Sequence, residues 1–83
     1  MLAGAVLAAD KPVSDNAIID NVRIRLAGDP VVKGGALGVD SKDGVVTLTG
    51  KVTQEKQKSK AGKLAKKVKG VKKVINDIAV EKH

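Results

Sequence analysis

Lysine is the chemically active residue type that this chain concentrates. Between Lys51 and Lys73 there are ten lysines and a single acid, Glu55. The rest of the chain holds six of the sixteen basic residues and eight of the nine acidic ones, so the net charge of +7 resides in one segment. Within it Lys56, Lys60, Lys63 and Lys67 recur at i, i+4, i+7 and i+11, the spacing of one stripe on a helix, and Lys72 and Lys73 follow closely. A row of ammonium groups does one kind of chemistry well: it attracts anions, whether phospholipid head groups, nucleic acid or a polyanionic polymer. The competing reading is a solvated face that keeps a small domain soluble.

Other chemistries find little to work with. His83 is the sole histidine and the last residue, so no histidine-based nucleophilic triad can be assembled in a core. No two acids have the spacing of a catalytic carboxylate pair. Asp10, Asp15, Asp20, Asp29, Asp40 and Asp43 read as caps, turns and surface charges. The stretch from Asp40 to Gly44 lacks the alternating ligands and terminal Glu of a calcium loop. Gly28, Gly34 and Gly35 match neither a Walker loop nor a dinucleotide-binding turn. Cysteine is absent, which removes disulfides and thiolate metal sites. The expectation is a protein that is not an enzyme and uses no cofactor or metal.

The absence of aromatic residues also narrows the anionic partner. Bases cannot be stacked as they are on RNA-binding sheets. The basic segment offers no Arg or Asn on its helical stripe for base readout, so specific nucleic-acid binding is not expected. A membrane surface suits the lysines better, each being worth roughly 1 kcal/mol near an anionic leaflet. With no apolar anchor, such attachment is weak and reversible. No apolar run approaches the ~20 residues of a transmembrane helix.

The elements that would position these lysines can be read from periodicity. Residues 1–9, small and apolar, resemble the end of a secretory signal peptide, with Ala8 and Ala9 suited to a cleavage junction. Residues 10–13 form a linker, and residues 14–83 the domain. Ser14 caps a first helix from about Asp15 to Ala27, with Ile18, Val22 and Leu26 on one face. Gly28 and Pro30 end it. A first strand spans Ala36 to Ser41, with Leu37 and Val39 on one face. Lys42, Asp43 and Gly44 make a hairpin turn, and Val45 to Val52 alternate as a second strand. Thr53 caps a second helix, with Ala61, Leu64, Ala65 and Val68 as its apolar stripe. Gly70 ends this helix, and Val71 to Val80 form a third strand, where Asn76 and Asp77 suggest a bulge. The order α-β-β-α-β, with a right-handed crossover between the second and third strands, predicts an α+β, two-layer sandwich: a three-stranded mixed sheet with two helices on one face.

The run from Asp43 to Val52, the helix bearing Ala61, and the return from Gly70 through Val71, Val74 and Ile75 to Ile78 resemble the BON domain, the bacterial OsmY and nodulation family. The resemblance covers Ser14 to Val80. Its glycines have physical readings: Gly44 serves the hairpin, Gly50 lies on the inward face of the second strand where a side chain would hold the second helix away, and Gly70 ends that helix. The resemblance implies a periplasmic, envelope-associated protein involved in envelope integrity or osmotic stress and attached to phospholipid surfaces. It supplies no universal site residue. Some members meet lipid through the first helix of a domain, whereas here the second helix is the basic one. The candidate anion-binding residues are therefore Lys56, Lys60, Lys63, Lys67, Lys72 and Lys73, with anionic phospholipid head groups as the expected partner. The alternative is a protein–protein interaction module that docks an envelope protein. Salt separates the two, since lysine-mediated attachment weakens with ionic strength and an apolar interface does not.

Overall fold

Ser14 begins the described chain's first helix by accepting a hydrogen bond from the Ala17 amide at 3.2 Å. A computed structural model describes residues 13–33 and 37–81. The expected signal remnant therefore lies outside the described residues, as does Ala36. Helix α1 spans Asp15–Gly28 and β1 spans Gly38–Lys42; β2 spans Val45–Val52, α2 spans Glu55–Lys66 and β3 spans Lys73–Val80. The strand order is β1-β2-β3, with β1 antiparallel to β2 and β2 parallel to β3.

Both helices cover the same face of the sheet. The buried strand residues Val39, Val46, Leu48, Val52 and Ile78 share one alternation and form a single cluster with Ile18, Val22 and Leu26 of α1 and Ala61 and Ala65 of α2. Helix α1 lies over β1, α2 lies over β3, and the two helices touch. Each fully buried Val, Leu or Ile contributes about 1.5–3 kcal/mol, which an aromatic-free core must accumulate from many small contacts. Val32, in the stretch between the first helix and the first strand that carries no periodicity, is also buried in this core. Asp29 explains why: its Oδ1 accepts the amides of Val31 and Val32 at 2.8 and 3.1 Å, folding the chain back beneath α1.

The hairpin turn holds both Asp43 and Gly44 at positive φ, 52° and 84°, the type I′ geometry that matches strand twist. The other two family glycines also take positive φ. Gly50 adopts φ 123°, so its requirement is set by a backbone conformation that side-chain-bearing residues rarely take. The close approach of α2 to the sheet is visible at Gly62, where a Cβ would stand 2.9 Å from Asn76 Nδ2. Gly70 does not end α2, which stops at Lys66 because the Lys67 and Val68 amides tighten onto the carbonyls of Lys63, Leu64 and Ala65. Gly70 instead turns the chain at φ 96° against Val13 and Ile18.

Three boundaries shift. Strand β3 begins at Lys73 rather than Val71, β1 begins at Gly38 and ends at Lys42 rather than Ser41, and Gln54 rather than Thr53 occupies the N-cap of α2. The expected bulge at Asn76 and Asp77 is absent: pairing runs unbroken from Val45 with Lys73 to Val52 with Val80. Asn76 interrupts the apolar pattern for another reason. It points inward opposite Leu48 and donates from Nδ2 to the Lys58 carbonyl at 2.8 Å, fastening β3 to α2.

Candidate functional site

The lysine stripe forms on α2 as its spacing requires. Lys56, Lys60, Lys63 and Lys67 are all exposed, and with Glu55, Ser59 and Leu64 they line a shallow groove among the described residues. The apolar residues Ala61 and Ala65 face the sheet, so the lysine stripe lies away from it, with Lys60 reaching the end of α1. Two contacts fix that orientation. Gln57 donates from Nε2 to the Val31 carbonyl at 3.2 Å, and Lys60 Nζ lies 3.3 Å from Asp29 Oδ2.

Lys60 therefore differs from its neighbours. Its side chain is 45% exposed while that of Asp29 is 12% exposed, so the pair joins a surface cation to a largely covered carboxylate. Desolvation is the largest influence on Asp29 and pushes its pKa up. The amides of Val32 and Val31, and then Lys60, outweigh it and hold the carboxyl below its ordinary value of 3.8. Among the described residues Lys56, Lys63 and Lys67 make no ion pair. Sequence spacing had treated Lys60 and Lys63 as equivalent; the structure gives Lys60 a second task in holding α2 to the chain after α1.

The structure does not bring Lys72 and Lys73 onto this stripe. The Lys72 stem packs near the turn at Gly44, at the far end of α2. Lys73 pairs with Val45 and lies on the solvent face of the sheet, opposite the helices. The basic segment is continuous in sequence and divides in space into a helix flank, a turn and a sheet face.

A second polar cluster occupies the turn end of the molecule. Asp15 Oδ1 accepts the Ser41 hydroxyl at 2.8 Å and the Gly44 amide at 3.2 Å, while Oδ2 accepts the Asp43 amide at 2.9 Å. The Asp43 amide, then the Ser41 hydroxyl and the Gly44 amide, lower the Asp15 pKa from 3.8 against a small opposing desolvation. With all its neighbours engaged, this carboxylate is a fastener, joining the first turn of α1 to the hairpin. Sequence reasoning had grouped Asp15 with caps, turns and surface charges; no local signal identifies an acceptor for amides 28 and 29 residues away. Among the described residues no group of three or more His, Cys, Asp or Glu side chains is placed to hold a metal ion. No described helix is long and apolar enough to cross a membrane.

This arrangement, two helices fastened by carboxylates to one face of a β1-β2-β3 sheet, coincides with a family match. The BON domain model matches residues 14–82. The chain belongs to the BON domain family. The BON domain is also similar to Osmotically-inducible protein Y of Escherichia coli (strain K12), at 38% identity over 64 residues. The aligned region is 77% of this chain and 32% of that relative, so the chain spans about a third of the relative's length.

Proposed function

We propose that this BON domain is a non-enzymatic binding domain of the bacterial envelope, acting in the periplasm under osmotic stress and attaching weakly to anionic phospholipid surfaces through the lysine flank of α2. Family membership and the relative's description as osmotically inducible support the setting. The observation that carries the surface assignment is the flank itself: Lys56, Lys63 and Lys67 exposed on one side of one helix, with no ion pair among the described residues. At roughly 1 kcal/mol per lysine, three of them supply about 3 kcal/mol. That magnitude describes reversible, salt-sensitive attachment, and the burial of Ala61 and Ala65 against the sheet leaves the helix without an apolar face to insert.

Co-sedimentation with phosphatidylglycerol and phosphatidylcholine vesicles, at low and physiological salt, tests this reading. Lys63→Glu with Lys67→Glu leaves the fold intact, since neither residue touches the core or Asp29. The pair of changes is expected to weaken phosphatidylglycerol binding by about 2–4 kcal/mol, each lost lysine contributing ~1 and each new glutamate repelling similarly. Equal binding by wild type and double variant would remove the flank as the contact surface. Failure of wild type to bind anionic vesicles at low salt would remove the lipid reading altogether.

A further inference from the structure

Strand β3 is the outer strand of the sheet, and among the described residues nothing pairs with its far edge. The Lys73 and Glu81 amides point toward β2, donating to the Gly44 and Val52 carbonyls. By strand alternation the amides and carbonyls of Val74, Asn76, Ile78 and Val80 face outward from the sheet, the Ile78 amide donating to Asn76 Oδ1 at 3.4 Å. An eight-residue edge of this kind is a template for another strand. Beside it on the solvent face stands Ile75, 38% exposed and, among the described residues, one of two exposed large hydrophobic residues.

We propose that β3 pairs antiparallel with β3 of a second copy of this chain, with Ile75 facing Ile75 across the two-fold axis. Charge selects this register. It sets Lys73 opposite Asp77 of the second copy, and Asp77 opposite Lys73, so two cross-strand pairs of opposite sign flank an apolar centre. Centring the axis on Asn76 sets each Asp77 against Ile75 and each Lys73 against Ala79. Centring it on Asp77 sets like charges face to face. In the Ile75 register the outward-pointing groups of Val74 and Asn76 fall in the hydrogen-bonded positions, as an antiparallel ladder requires.

The axis stands perpendicular to the sheet, so pairing yields one six-stranded sheet with all four helices on the same side. Lys60 of each α2 reaches Asp29 on the side away from the joint, and the exposed lysines stand off the sheet rather than at its paired edge. Two basic flanks then address one surface, and the second contact benefits from the effective concentration set by the first. The joint itself rests on β3 alone and stands whether or not the surface is lipid. The net charge of +7 opposes association at low ionic strength, so physiological salt is the condition for its test.

Sedimentation velocity on the full chain, up to about 1 mM, reads the association directly. Lys73→Asp and Asp77→Lys, made singly, each place like charges opposite one another and are expected to weaken association on the order of tenfold. The two changes together recreate opposite pairs and are expected to restore it. Both sites are exposed, and circular dichroism verifies that each variant is folded. A second readout uses the absence of native cysteine. Facing residues at a non-hydrogen-bonded position have Cα atoms about 4.5 Å apart, within disulfide range. Ile75→Cys is therefore expected to oxidise to a covalent dimer much faster than Ala79→Cys on the same face. A wild-type chain that stays monomeric at about 1 mM overturns the proposal, as does failure of the double exchange to restore association, or equal cross-linking at both cysteine positions.

Discussion

The two ends of the helical layer are held by different chemistry. At the turn end, Asp15 receives a hydroxyl and two amides, all neutral donors, and binds α1 to the hairpin. At the opposite end, Asp29 receives two amides and the Lys60 ammonium, while Gln57 bridges α2 to Val31. The first end is closed and structural. The second draws one lysine from the candidate binding flank into the fold, so the surface that attracts anions and the contact that holds α2 share a residue. A charge stripe read from spacing is thus a mixture of fastened and free cations, and only geometry separates them.

The largest effect is expected at the closed end. Asp15→Ala removes three acceptor contacts and leaves the Ser41 hydroxyl and two turn amides to find new partners. It should lower the urea midpoint, followed by far-ultraviolet circular dichroism, more than any change at the other end. Because the folded-state pKa of Asp15 is depressed, its contribution is fully present above the ordinary value of 3.8 and is lost as pH falls through the lower folded value. The gap between wild type and Asp15→Ala should therefore be constant near neutrality and close in acid. A gap that persists unchanged at pH 2 would show that the variant acts through something other than carboxylate acceptance.

A smaller loss is expected from Gln57→Ala. Gln57 Oε1 accepts the amides of Thr53 and Gln54 at 3.1 and 3.0 Å, closing the first turn of α2, and Nε2 reaches Val31. Losing an N-terminal cap together with a tertiary hydrogen bond should cost about 1–2 kcal/mol in urea unfolding. An unchanged midpoint would mean that water replaces all these contacts at no cost.

The smallest effect separates two lysines that look alike in sequence. Lys60→Glu sets a like charge against Asp29 and should lower the midpoint slightly, with the loss shrinking as salt is added. Lys63→Glu, with no paired acid among the described residues but a place in the last turn of α2, should lower the midpoint less than Lys60→Glu. Equal behaviour of the two would break the distinction between fastened and free cations.

Periodicity located every element of the fold, because the stripes Ile18, Val22, Leu26 and Ala61, Leu64, Ala65 and the alternation of Val46, Leu48 and Val52 leave one consistent way to bury apolar surface. It missed Val32 because a connector with no period carries no face. It misread Asn76, since a polar residue on an inward face looks like a break until its partner, the Lys58 carbonyl, is brought near by the crossover. The lysine stripe was legible for the same reason as the helices. The roles of Asp15, Asp29 and Lys60 were not, because each depends on a partner far along the chain.

The hairpin turn has a consequence for the covalent durability of the chain. Among aspartyl dipeptides, Asp followed by Gly, as at Asp43 and Gly44, is the one in which backbone rearrangement comes most easily: the glycine nitrogen attacks the preceding side-chain carboxyl, water is lost, and reopening of the cyclic imide leaves an isoaspartyl linkage. Here the Gly44 nitrogen donates its proton to Asp15, and the Gly44 carbonyl receives the Lys72 amide at 2.8 Å. Both sides of the glycine peptide are held, so the nitrogen is not free to swing toward the Asp43 side chain. The contact that joins α1 to the sheet thereby restrains the nitrogen on which that rearrangement depends.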